Sequence, residues 1–82
     1  MLKVKVLFFA TLRDYVGEKS LEIEIPYGMT VKKLTDLLFI TYPRLEKVKD
    51  SMIAAINREY AADDHVIPEG AEIAFFPPVS GG

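Results

Sequence analysis

The sequence predicts an α+β fold in which one mixed sheet carries a single main helix across one of its faces. Three observations lead there. Leu2 to Phe9 and Ala71 to Phe76, near the two ends of the chain, place apolar side chains with a period of two, the signature of strands. Only one long stretch, between Thr30 and Pro43, sets its apolar residues at helical spacing. The order strand, strand, helix, strand, strand then builds a layer of sheet against a layer of helix.

In the first strand Leu2, Val4, Val6 and Phe8 point one way, and Lys3, Lys5, Leu7 and Phe9 the other. Thr11 to Gly17 holds Leu12, Tyr15 and Val16 at helical spacing and stops on glycine, so a single helical turn is expected. Leu21, Ile23 and Ile25 alternate with Glu22 and Glu24, a strand with one wet face that Pro26, Tyr27 and Gly28 close. Thr30 is the expected N-cap of the main helix, with Val31, Leu34, Leu37, Leu38 and then Tyr42 or Leu45 facing inward and Pro43 as the stop. Lys33 stands where a capping box would need Glu or Gln. After a polar stretch from Arg44 to Ser51, Met52 to Asn57 reads as a third strand, and Arg58, Glu59 and Tyr60 turn back into a brief extra one. A loop from Ala61 to Gly70 leads to the last strand.

Composition bounds what such a fold could do. The chain has 82 residues, enough for one core, so a single domain over 1–82 is expected, with a flexible tail over 77–82. Ten Lys and Arg against twelve Asp and Glu give a net charge of -2, without the basic excess of a nucleic-acid binder. MLKVKVLFF interleaves lysine with apolar residues where a secretory signal needs an unbroken apolar core, and no run is long enough to span a membrane; a cytoplasmic place is expected. There is no cysteine, which excludes disulfides, thiolate metal sites and a cysteine nucleophile. His65 beside Asp63 and Asp64 reads as a surface loop, since neighbours in a loop rarely converge on one ion. Lys3 with Lys5, and Lys32 with Lys33, read as solvated faces or partner rims. No glycine-rich phosphate loop and no triad spacing is present.

If Val6, Phe8, Ile56, Ile73 and Phe75 face the helix, the alternation sends Leu7, Phe9, Ala74 and Phe76 to the opposite, open face, with Ala55 and Asn57 as neighbours. Clustered exposed rings suggest a docking surface. Directly after Phe76 come Pro77 and Pro78, which fix φ and lack an N–H, so they end strand pairing and project the last residues away from the sheet on a stiffened stalk. Gly81 and Gly82 offer no side chain to block a narrow channel.

The segments KVLFFATLRDYVG and EIAFFPPVSGG together resemble the small, ubiquitin-like subunit of molybdopterin synthase, a family of sulfur carriers with the β-grasp fold. The resemblance covers essentially the whole chain, and FPPVSGG is its most specific part. It implies a subunit that donates sulfur but is not itself catalytic. The Gly82 carboxylate would be adenylated by a ubiquitin-activating-like adenylyltransferase using ATP and converted to a thiocarboxylate. Val79, Ser80 and Gly81 would enter the large synthase subunit, where sulfur passes to a pterin precursor of the molybdenum cofactor. Phe9 and Phe76 match the family's apolar docking positions, with Leu7, Pro77 and Pro78 beside them, and Arg13 falls in its RxxxG-like turn. No stably bound cofactor is implied.

Burying Leu7, Phe9 and Phe76 would contribute about 4.5–9 kcal/mol at most, at 1.5–3 each, against an association cost of about 4–15 kcal/mol. Backbone hydrogen bonds from the threaded tail are expected to supply the remainder. Three other readings stay open: a carrier delivering sulfur to thiamine or transfer RNA, a protein modifier joined to lysines through Gly82, and an interaction module with an inert tail.

Overall fold

A computed structural model describes residues 1–48 and 51–77. Its elements are strand β1 (Leu2–Phe8), helix α1 (Thr11–Val16), β2 (Ser20–Ile25), α2 (Val31–Thr41), a 3₁₀ helix (Pro43–Val48), β3 (Ile53–Ile56), β4 (Glu59–Tyr60) and β5 (Glu72–Phe76). The strands form one sheet in the order β2-β1-β5-β3-β4. β1 and β5 pair in parallel, and the other three pairings are antiparallel. The strand nearest each end of the chain therefore occupies the middle of the sheet. Because the two run the same way, with Phe8 opposite Phe75, both finish at the same end of the sheet.

Alternation decides the core. Leu2, Val4, Val6 and Phe8 are all buried, as are Ile73 and Phe75 of β5, and they meet Val31, Leu34 and Leu38 of α2. Phe8 lies between two rings: stacked on Phe75 at 6.2 Å and edge-on to Tyr42 at 6.4 Å. Leu12 and Val16 of α1 close one end, and Gly17, at φ 86, ends that helix by donating its N–H to the Arg13 carbonyl at 2.8 Å. Among the described residues no helix is long and apolar enough to cross a membrane.

Two helical expectations need correction. Leu37 does not face the core; it is 44% exposed. At 3.6 residues per turn it lies about 90° round the helix from the mean direction of Val31, Leu34 and Leu38, so the stripe runs through Leu38 and leaves its neighbour on the flank. Leu45 is buried, but not on α2, which stops at Thr41; the supposedly polar stretch after Pro43 forms the 3₁₀ helix that carries it inward. Of the tail expected over 77–82, Pro77 is described, while Pro78, Val79, Ser80, Gly81 and Gly82 lie outside the described residues.

The loop with Asp63 and His65 serves α2 through its backbone. The first N–H groups of a helix have no partner within it. Here Val31 N–H donates to the His65 carbonyl at 3.0 Å, Lys32 N–H to the Asp63 carbonyl at 2.9 Å, and Lys33 N–H to Thr30 Oγ1 at 3.2 Å. Thr30→Ala removes one of these three acceptors. It is expected to cost about 1 kcal/mol, read as a lower denaturant midpoint with an unchanged slope.

Among the described residues three non-glycine residues adopt positive φ: Ala10 at 53, Asn57 at 50 and Arg58 at 73. Asn57 and Arg58 are the two-residue loop of the β3–β4 hairpin, closed by Ile56 opposite Glu59. Positive φ at both central positions is the type I′ geometry, which matches strand twist and favours Asn then Gly. Asn57 suits it, but Arg58 bears a left-handed cost of about 1–2 kcal/mol that glycine would not.

Candidate functional site

The face of the sheet away from α2 divides into two halves. Towards the start of β1, Lys3 stands opposite Glu24 and Lys5 opposite Glu22, so this half carries compensating charges. Towards the ends of β1 and β5 the face is apolar. Leu7, Phe9, Ala74 and Phe76 line an open depression of about 510 Å³, together with Ala55, Arg58, Tyr60 and Glu72. Phe9 and Phe76 stack with their centroids 4.7 Å apart and their planes within 11° of parallel.

Backbone geometry sets up that stack. Phe9 lies just past β1, yet its N–H still reaches the Phe75 carbonyl at 3.2 Å, holding it in line with the strand. Ala10, at φ 53 and ψ -128, then turns the chain sharply into α1. Phe76 ends β5, with half-buried Pro77 next. Among the described residues each positive-φ, non-glycine residue is therefore part of this depression or lies within one residue of its lining. Backbone strain held in place by its surroundings gathers at functional sites.

The structure brings Leu7, Phe9 and Phe76 together as the alternation requires, with Phe9 41% exposed and the other two half-buried. Of the two expected neighbours, Ala55 is on this face and Asn57 is not. Ala55 lines the depression but is 6% exposed, because its methyl group is low between the cross-strand residues Ala74 and Tyr60. Asn57 has left the strand for the hairpin turn, where its Oδ1 accepts the Glu72 N–H at 3.0 Å; it does not line the face. Arg13 is exposed on α1 and contributes nothing to the lining. The predicted positions Pro78, Val79, Ser80, Gly81 and Gly82 lie outside the described residues.

Sequence reasoning passed over Arg58, Tyr60 and Glu72. Tyr60 is the most exposed ring of the face, at 84%. A two-residue hairpin loop at Asn57-Arg58 would have revealed it, since Ala55 and Tyr60, directly opposite each other, then share a face. Glu72 follows from the alternation that places Ala74 and Phe76 there. Among the described residues no group of three His, Asp or Glu side chains is placed to hold a metal. What the face offers chemically is apolar area with one cation and one anion at its edge.

Known proteins resemble this chain in sequence and fold. Residues 6–82 match the ThiS family. The molybdopterin synthase sulfur carrier subunit of Escherichia coli is 37% identical over 81 residues, covering 96% of this chain and 99% of that protein. Its Arabidopsis thaliana namesake is also 37% identical over 81 residues, 99% of this chain and 84% of that one. Among solved structures, a protein of Pyrococcus furiosus described as a putative molybdopterin converting factor, subunit 1, superposes with a TM-score of 0.87 at 29% identity, over 96% of this chain and all of that one. Small archaeal modifier protein 1 of Haloferax volcanii superposes at 0.85 and 26% identity, with 96% and 100% covered. A ubiquitin of Caldiarchaeum subterraneum, at 0.66 and 16% identity, shares the fold alone.

Proposed function

Since the chain belongs to the ThiS family and has the ubiquitin-like β-grasp fold, we propose that it is the sulfur carrier subunit of a molybdopterin synthase, acting in molybdenum cofactor biosynthesis. One observation supports this most directly. The stacked Phe9–Phe76 pair sits at the end of the central parallel strands, and in the sequence Phe76 is followed directly by Pro77 and Pro78. A partner that covers the apolar half of the sheet thereby receives the C-terminal segment at a fixed point.

The chemistry asked of that segment comes from its terminus. A carboxylate is a poor electrophile, because resonance and negative charge protect its carbon. An activating enzyme joins the Gly82 carboxylate to AMP from ATP, releasing pyrophosphate, and a sulfide equivalent then displaces AMP to leave a thiocarboxylate. In the large subunit the thiocarboxylate gives its sulfur to the pterin precursor and returns as a carboxylate. Positioning and charge stabilisation belong to those enzymes; the carrier contributes the reacting end and the surface that aims it.

Tyr60 enlarges the surface available for docking beyond Leu7, Phe9 and Phe76. Its burial adds about 1.5–3 kcal/mol, which raises the apolar contribution to about 6–12 kcal/mol, inside the span of the association cost. The carrier acts in the cytoplasm, without a resident cofactor.

Mass spectrometry of the protein from its native cells tests the reading. Exchange of one terminal oxygen for sulfur is expected. Covalent adducts on the lysines of other proteins, without that exchange, would instead make the chain a modifier.

A further inference from the structure

Arg58 combines three features that its structural role in the hairpin does not require. It occupies the second position of a type I′ turn at φ 73, where glycine is favoured. Its side chain lines the depression beside Tyr60 and Phe76. Among the described residues its guanidinium makes no ion pair, and the one such pair present, Lys32 with Asp36, lies on α2. Lys3 and Lys5, the other cations of the open face, make no ion pair among the described residues either, but they stand across from Glu24 and Glu22 in the other half of the sheet and do not line the depression. Glu72 shares the depression with Arg58 but does not reach it as a salt bridge. Among the described residues Arg58 is thus the one cation that lines the apolar half of the sheet, and it is held on a strained turn.

We infer that Arg58 is a specificity-determining contact of this docking face, and that its guanidinium pairs with a carboxylate on the large synthase subunit. The inference rests on the function proposed above, which supplies the occupant; the cation at an apolar rim supplies the complementary charge. A guanidinium presents paired N–H donors that match a carboxylate, and a rim charge of this kind sets association rate and partner choice. The turn also fixes the Cα from which the side chain departs, so the donor fork leaves a rigid hairpin and not a loose loop.

Arg58→Gly separates binding from folding, because it removes the charge and relieves the turn at once. The variant is expected to melt at a higher temperature than the wild type. It is also expected to bind the large subunit at least about 10-fold more weakly at about 50 mM salt, with the difference shrinking to under about 3-fold near 0.5 M. Arg58→Lys, which keeps charge but not the fork, should fall between the two. Equal affinity of Arg58→Gly and wild type at both salt concentrations overturns the inference while leaving the carrier function standing. So does a variant that melts lower, since Arg58 would then serve the fold. Failure of the wild type to bind the large subunit overturns both readings.

Discussion

A chain shortened by Gly82 alone is expected to unfold at the temperature of the full chain and to transfer no measurable sulfur. The two halves of this prediction have separate physical grounds. Among the described residues the buried side chains that hold the sheet to its helices run from Leu2 to Phe75, and Gly82 has no side chain to add to them. Changes away from such features usually stay within about 0.5 kcal/mol, or roughly 2–4 °C in a domain of this size. Transfer is another matter. The deletion moves the terminal carboxylate back by about 3.5 Å along an extended chain, while a misplacement near 1 Å already costs about 100-fold in rate. Calorimetry and a single-turnover assay with activating enzyme, large subunit and pterin precursor measure both halves. Sulfur transfer at the full rate by the shortened chain would remove the reacting atom from Gly82.

Much of this was legible in the sequence, for local reasons. A half-buried strand repeats every two residues, so Val6 and Phe8 could be told from Leu7 and Phe9 without knowing any partner strand. The same rule sorted Phe75 from Phe76. Strand order was not legible, because the neighbour of β1 is chosen by contacts between opposite ends of the chain. The helix stripe was overdrawn at Leu37, since a core-facing stripe can include adjacent residues and spacing alone does not say on which side of Leu38 the exposed flank begins. Pro43 marked the end of α2 but concealed the 3₁₀ helix beyond it, whose single buried residue, Leu45, leaves no period to read. The loop carbonyls of Asp63 and His65 that cap α2 have no sequence signature at all, being backbone atoms.

The candidate site divides in the same way. Leu7, Phe9 and Phe76 came from alternation, whereas Arg58 and Tyr60 depend on a turn whose second residue disobeys the usual preference for glycine. A rule that recognises such turns by Asn-Gly misses the position where a side chain is kept in spite of strain. Arg13 shows the reverse case. Its motif invites a role, yet α1 holds it outside the depression.

Phe75 and Phe76 are neighbours in sequence, and truncating each to alanine should give opposite phenotypes. Phe75 is 1% exposed and stacked on Phe8, so Phe75→Ala opens a cavity in the centre of the core. The expected cost is about 3–5 kcal/mol, against a total stability of about 4–12 kcal/mol for a chain of this length, and the melting temperature should fall by more than about 10 °C. Phe76 is on the other face, half-buried and stacked on Phe9. Its loss removes a ring pair of about 0.5–1.5 kcal/mol from the free domain, a shift the fold can absorb. Docking on this face is expected to desolvate the same ring, and aromatic residues at the centre of an interface typically contribute about 2 kcal/mol or more, about 30-fold in Kd. Titration calorimetry against the large subunit, beside thermal melts of both variants, separates the two roles. If Phe76→Ala melted as low as Phe75→Ala and bound as tightly as the wild type, the open face would be part of the fold's support and not its docking surface. The two rings differ only in which side of one strand they occupy, so the comparison isolates the face assignment from every other property of the sequence.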